Sequence, residues 1–351
     1  MSLNTIEELL PISELGFGKY YGKLMVEAVY TEGEWKAWTL SNVHRLEIHP
    51  GAKALHYAQE IFEGLKAYKT PNGIQMFRPT SNIKRMSISA DYLAMPRFPE
   101  DQFLDALKTL VSKLSYLVPE HPGSLYLRPT MIGRSSTLGV APASEYGFYI
   151  LASPVGGYFD DVSSDKPVCI SVLISDQYVR AVRGGLGIAK TGANYAASLR
   201  AVAEAKKAGF HNVLFLDAIE RRYLEELSGM NVFVVDQEVL KTPPLGDTIL
   251  AGVTRDSLIK IGRHLGFTVQ ETAIDVNEMI KGIVKGSITE VFACGTASVI
   301  TSIHELGWKG ERICVGDGQA GPFASKLYQT LSGIHAGTIA PLESDWIVKC
   351  P

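Results

Sequence analysis

The segment RAVRGGLGIAKTGANYAAS, residues 180–198, limits what this chain can fold into more than any other stretch. Gly184, Gly185, Gly187 and Gly192 make a poor helix or strand interior, because glycine loses the most backbone freedom on ordering. The segment is therefore expected to be a loop, between a strand-like run, VCISVLI, and a helix-like run, ASLRAVAEAKKAG. Lys190 stands in that loop with little side-chain cover around it, so another molecule can approach it closely. A lysine amine is a nucleophile only when its ammonium form is disfavoured, by desolvation or by neighbouring positive charge. Arg180 and Arg183 are the cations at hand. The plainer reading is a solvated surface charge, as for most lysines in such loops.

At 351 residues the chain exceeds what one core serves comfortably, and two domains are expected. The tract SPVGGYFDDVSSDKP, residues 153–167, mixes Gly, Pro, Ser and Asp without periodicity and marks the boundary. We expect a smaller α+β domain over 1–155, a linker over 156–166 and a larger domain over 167–351. In the first part, GLKAY and IQMFR flank a Pro-Asn-Gly turn and read as a hairpin. Ser81 is expected to cap the helix NIKRMSISADYLAM. After Pro99, the apolar residues Phe103, Leu104, Leu107, Leu110, Val111 and Leu114 form a one-sided helical stripe. SLYLRPTMIG and YGFYILASPV are rich in aromatic and branched residues and read as strands. In the second part, TRDSLIKIGRHLG reads as a helix stopped by Gly266, and EVFACGTASVITSI as strand, turn and strand. Without repeats or a regular strand–helix array, the pattern is that of mixed α+β domains.

Several function classes recede on composition. A net charge of −3 leaves no basic footprint for nucleic acid. No apolar run approaches the roughly 18 residues of a membrane span, and MSLNTIEELL lacks a basic region followed by an apolar one, so a cytoplasmic protein is expected. Cys169, Cys294, Cys314 and Cys350 are scattered without Cys-x-x-Cys spacing, which suits neither a disulfide framework nor a thiolate metal site. His44, His49 and His56 fit no helical ligand pair, so no metal is expected. GGLGIAKT resembles a phosphate-binding P-loop but has Ala189 where the loop needs its last glycine. No Gly-x-Ser-x-Gly elbow occurs.

Two small-residue turns and one acid remain. AGVTRDSL puts Gly252, Val253 and Thr254 at a helix start, where backbone N–H groups and a hydroxyl favour an anion. ACGTAS puts Gly295 and Thr296 in a tight turn after a strand, a second possible phosphate nest. Each alone is also ordinary cap or turn chemistry. Glu226 stands between apolar residues before a glycine-containing turn, and a partly buried acid there needs a partner, either an arginine or a pyridinium. The alternative is a surface acid beside Glu225.

Taken together, Lys190 in AKTGANY, Glu226 in ELSGMN, Thr254 in AGVTRDSL and Thr296 in CGTA resemble, in order and spacing, the class IV pyridoxal-phosphate aminotransferases. HYAQEIFEGLKAY, FRPTSNIKRM and LYLRPTMIG are similar to further motifs of that family, and particularly of its branched-chain amino acid aminotransferases. The resemblance spans roughly residues 50–345. It implies the two-domain fold type IV architecture, α+β or mixed α/β: a smaller N-terminal α+β domain and a larger C-terminal one with a pseudo-barrel of strands. The implied cofactor is pyridoxal 5′-phosphate. Lys190 would hold it and shuttle the proton, Glu226 would pair with the pyridine nitrogen, and Tyr195 would bond the ring's 3′ oxygen. Arg85, Val253, Thr254, Gly295 and Thr296 would hold the phosphate. Arg180 and Arg183 are left as loop or interface charge.

The same resemblance implies the substrates: leucine, isoleucine and valine, glutamate, and the matching 2-oxo acids. Tyr57, Phe62 and Tyr126 would wall the pocket, and Arg128, two residues beyond Tyr126 on one strand face, would take the glutamate side-chain carboxylate. The α-carboxylate would meet the turns at Gly229 and Ala297. Some members carry a Cys-x-x-Cys pair after Gly-Thr-Ala; Ser298 and Thr301 stand there instead, so that redox control is not expected. A homodimer is implied, with residues of one subunit reaching the other's site. D-amino acid aminotransferases, an aminodeoxychorismate lyase and a non-catalytic binding protein on the same fold are the alternatives, because fold does not fix substrate.

Overall fold

The computed structural model describes residues 3–156 and 166–351. They divide into two compact units, the first comprising Met1–Ser163, Ala189–Gly192 and Ile334–Pro351, the second Ser164–Ile188 and Ala193–Gly333. This differs from a purely sequential division at two places, the Lys190 run and the C-terminal tail. Both reasons are tertiary. The strand Ile347–Cys350 pairs antiparallel with Gly73–Phe77, and the Lys190 backbone is held by Phe62 and Ser89. Of the expected linker, residues 157–165 lie outside the described residues, while Ser153–Val155 complete the strand Tyr146–Val155.

The first unit is an antiparallel sheet backed by two helices. Its path runs from Ile347–Cys350 through Gly73–Phe77, Leu65–Thr70, Ser124–Gly133 and Tyr146–Val155 to Leu24–Thr31, with Glu60–Phe62 paired onto Ser124–Gly133. The expected hairpin closes with Thr70 opposite Gly73. The helix Glu100–Lys113 presents its stripe inward: Phe103, Leu107, Leu110 and Val111 are at most 1% exposed, and Leu114 just beyond is fully buried. Each such side chain contributes about 1.5–3 kcal/mol of burial. The neighbouring helix corrects the expectation for Ser81. It runs Pro79–Tyr92 after Arg78 in the left-handed region (φ 48°), so Ser81 lies inside it. Pro79 explains the earlier start: its fixed φ suits the first helical position, and it has no N–H there to leave unpaired.

The second unit closes a ring of strands. Leu224–Leu227 pairs with Asn212–Leu216, then follow Val168–Ser175, Val299–Trp308, Ile288–Gly295 and Asn231–Asp236, which returns to the first strand. The closing contact is Glu226 opposite Asn231. Closure removes the exposed sheet edges that an open array would leave. This six-stranded barrel is the expected pseudo-barrel. Phe233 and Phe292 stack across adjacent strands at 5.3 Å between centroids. The helix Val253–His264 ends two residues before Gly266, whose φ of 85° only glycine takes without strain.

Candidate active site

In the first unit, tertiary contacts bring together four of the expected residues, Phe62, Lys190, Arg128 and Tyr126. Lys190 N donates to Ser89 Oγ at 2.9 Å, and Phe62 N donates to Lys190 O at 3.0 Å, so the lysine's main chain is pinned between a helix and a strand. Its Nζ lies 4.8 Å from the centroid of the Phe62 ring, and the Arg128 guanidinium lies 4.8 Å from the same centroid. Both cations lie over this ring and use its negative quadrupole. Arg128 Nη2 donates to the Tyr126 hydroxyl at 3.0 Å, and Phe17 packs edge-on against Tyr126 at 4.9 Å. Phe17 is not singled out by the sequence, since a lone aromatic in a glycine-rich run carries no periodic signal. Tyr57 stands at the end of the short helix Lys53–Tyr57, where its hydroxyl donates to Leu138 O and its ring faces Lys53.

Arg85, on the helix Pro79–Tyr92, is held by a carboxylate outside the expected set. Its Nε and Nη2 donate to Glu63 Oε1 and Oε2 at 2.7 and 2.8 Å. Asn82 Nδ2 and Gly64 N also donate to Glu63, which is fully buried. Burial alone would raise the Glu63 carboxyl; the charge and hydrogen bonds of Arg85, the charge of Lys190 and the Asn82 bond outweigh it, and the pKa lies below the ordinary value. The signal is present in the sequence as an acid between Phe62 and Gly64.

In the second unit the centre is Glu226, buried at the barrel's closing contact and not a surface acid. It accepts from Leu250 N at 3.0 Å and from Asn231 Nδ2 at 2.8 Å. Arg180 Nη2 lies 2.5 Å from Glu226 Oε1 and also donates to Gly187 O and Thr248 O. The expectation that Arg180 is loop or interface charge is thus overturned, whereas Arg183 is exposed. The glycines explain the reversal: at Gly187 a Cβ would stand 2.5 Å from Asp247 O, so only glycine lets the loop fold back and carry Arg180 inward. Glu225, also buried, has a carboxyl pushed up to about 7 by burial, with the Thr248 hydrogen bond and Arg180 opposing and Glu226 adding to the shift.

Around this acid the second unit assembles its small-residue turns. Tyr195 lies on the helix Gly192–Lys207, and a Cβ at Gly229 would touch its ring at 3.4 Å. A Cβ at Gly295 would lie 3.4 Å from Met230 Cγ and 3.6 Å from Gly229 O, so these two turns abut. Val253 and Thr254 open the helix Val253–His264, whose N-cap Gly252 offers no side-chain acceptor to the first turn. A side chain at Gly252 would collide with the Asn231 amide that bonds Glu226. Gly295, Thr296 and Ala297 lead from Ile288–Gly295 toward Val299–Trp308, with Val299 at φ 62°. The donor set is a buried carboxylate, a phenol, a helix N-terminus and two threonine hydroxyls. Such a set suits a flat, nitrogen-containing ring that bears a phosphate.

The amino-transferase class IV family matches residues 60–306. The chain belongs to the class IV aminotransferases. This class IV aminotransferase is 42% identical to branched-chain-amino-acid transaminase 1 of Bacillus subtilis, over 93% of its own length and 92% of that protein's. It is 46% identical to the branched-chain-amino-acid aminotransferase of Mycolicibacterium smegmatis, over 95% and 92%. Among solved structures, the Escherichia coli branched-chain amino acid aminotransferase superposes with a TM-score of 0.77 at 27% identity, covering 92% of this chain and 99% of that one. A second solved branched-chain amino acid aminotransferase, complexed with N-(5′-phosphopyridoxyl)-L-glutamate, gives 0.74 at 28%, covering 92% and 98%.

Among the described residues no group of three or more His, Cys, Asp or Glu could hold a metal ion. His44 instead meets Glu27, and His56 meets Pro50 O. No helix among the described residues is long and apolar enough to cross a membrane.

Proposed function

We propose that this class IV aminotransferase moves the amino group between leucine, isoleucine or valine and 2-oxoglutarate, in two alternating half-reactions, with pyridoxal 5′-phosphate as cofactor. The observation that carries the reading is the Phe62 ring with Lys190 and Arg128 over it and Tyr126 hydrogen-bonded to Arg128. An aromatic wall suits a branched aliphatic side chain, and a guanidinium beside it suits the second carboxylate of glutamate. The names of the similar proteins point the same way.

The proposed holders of the cofactor are Lys190, Glu226 and Tyr195, with Arg85, Val253, Thr254, Gly295 and Thr296 at its phosphate. Bound, the cofactor supplies an electron-withdrawing ring that takes up the electrons released when the substrate loses its Cα proton. Lys190 Nζ removes that proton and returns it, and pinning of the lysine backbone at Ser89 and Phe62 keeps its stroke short. Glu226 stabilises positive charge at the ring nitrogen, from a position fixed by Leu250 N, Asn231 and Arg180. Tyr57, Phe62, Tyr126 and Arg128 are the proposed contacts of the substrate side chain, and the turns at Gly229 and Ala297 those of its α-carboxylate.

Arg128→Ala tests the substrate half of the proposal. The KM for 2-oxoglutarate and glutamate rises about tenfold or more, from loss of a charge-assisted contact, while that for leucine changes much less. Equal losses for both substrate types would mean the arginine serves another purpose. We further propose a homodimer. Leu55, Leu138 and Val140 are 61, 66 and 87% exposed, an apolar surface suited to a second copy; light scattering that returns the mass of one chain would refute it.

A further inference from the structure

We propose that Glu60 is a specificity-determining residue, whose carboxylate competes with the second carboxylate of dicarboxylic substrates for Arg128 while its hydrogen bond to Gly192 positions the Lys190 segment. The inference rests on the reading that Arg128 receives that second carboxylate.

Glu60 opens the strand Glu60–Phe62 and stands opposite Ile132, with Phe62 opposite Thr130. Alternation by two puts Glu60, Phe62, Thr130 and Arg128 on one face of the sheet. The charge of Arg128 acts on Glu60 there: burial raises the Glu60 carboxyl, and the Gly192 hydrogen bond and Arg128 pull the other way. On its other side Glu60 Oε1 accepts from Gly192 N at 2.6 Å, two residues beyond Lys190. A side chain at Gly192 would collide with that oxygen, so the close approach itself requires glycine. One carboxylate thus tethers the lysine segment and shares the field of the arginine that recognises negative charge. A substrate with a branched aliphatic side chain never tests that field. A dicarboxylic one must share Arg128 with Glu60.

The two roles separate by substitution. Glu60→Gln keeps an amide oxygen for Gly192 N and removes the charge; Glu60→Ala removes both. With valine as donor at about pH 8, where a free carboxylate is ionised, KM is measured for 2-oxoglutarate and for 4-methyl-2-oxopentanoate. In Glu60→Gln the KM for 2-oxoglutarate falls about three- to tenfold relative to that for the branched oxo acid, the size expected for removing one partly screened charge. In Glu60→Ala the same ratio shifts and kcat falls as well. A ratio in Glu60→Gln within twofold of the unsubstituted enzyme's, or a parallel change in both constants, overturns the inference. Arg128→Ala, run alongside, distinguishes the two failures. If it spares 2-oxoglutarate, the underlying reading of Arg128 falls; if it behaves as stated and Glu60→Gln does not, the Glu60 inference alone falls.

Discussion

Each unit buries an arginine–glutamate pair at its centre, and the two pairs are built differently. In the first unit Arg85 grips Glu63 with a two-pronged fork, and Asn82 and Gly64 N bond the same carboxylate, which has no exposure to solvent. In the second, Arg180 approaches Glu226 through one nitrogen, which also serves the carbonyls of Gly187 and Thr248, and its Nε has no hydrogen-bond partner among the described residues. A bidentate pair directs the charge of each partner at the other. The end-on contact shares its charge with two carbonyls, and Leu250 N and Asn231 Nδ2 complete the setting of Glu226. We propose on this difference that Glu63 serves chiefly to hold Arg85 in place, and that Glu226 serves chemistry.

Substituting each acid separates the two roles. Glu63→Ala leaves a guanidinium buried without its counter-charge, which costs about 3–5 kcal/mol, and the first unit is expected to melt many degrees lower or fail to fold. Glu226→Gln turns an NH2 toward a donor and removes the charge beside buried Arg180, so the melting temperature also falls, by less than in Glu63→Ala, while kcat drops about a hundredfold. A stable Glu63→Ala and an unfolded Glu226→Gln would reverse the assignment of roles.

Arg180→Lys asks whether the end-on contact matters as charge or as shape. Lysine supplies a point charge but cannot serve Glu226, Gly187 and Thr248 through a planar group. We expect kcat about three- to tenfold lower with leucine, at nearly constant KM, together with a shift of the pH dependence of cofactor absorption. A loss confined to KM would place Arg180 in substrate binding instead.

The smallest effect concerns Glu225, which shares the neighbourhood of Arg180 and Glu226 and has a carboxyl pushed up to about 7. The folded pKa is above the unfolded one, so the folded state binds the proton more tightly. The associated stability is fully present below the unfolded carboxyl pKa and is lost as pH rises through about 7. From pH 6 to pH 8 the melting temperature therefore falls more in the unsubstituted protein than in Glu225→Gln, by about 2–4 °C. Identical pH profiles would show that Glu225 does not carry this proton.

Much of the fold is legible in the sequence because it is local. The stripe from Phe103 to Leu114, the hairpin at Thr70–Gly73 and the stop at Gly266 each rest on patterns a few residues long. What the sequence does not reveal is where distant segments return. Nothing near Lys190 announces Ser89, Phe62 or Glu60 as its neighbours, and nothing near Ile347 announces the strand Gly73–Phe77. Arg180 is misjudged from sequence for the same reason. Its partner Glu226 comes from a distant strand, and the loop's return depends on Gly187 meeting Asp247 and Thr248. Glu63, between Phe62 and Gly64, has a less polar setting than Glu226, which follows Glu225.

The central claim is that Lys190 carries the cofactor and moves the proton between leucine and it. The direct measurement is the visible absorption of the purified protein loaded with pyridoxal 5′-phosphate, recorded before and after leucine is added, beside the same record for Lys190→Ala. The lysine-bound band is expected in the unsubstituted protein, is lost on addition of leucine with release of the branched 2-oxo acid, and returns with 2-oxoglutarate. In Lys190→Ala the band is absent and turnover falls by about a thousandfold or more. Normal turnover in Lys190→Ala, or a band indifferent to leucine, would contradict it.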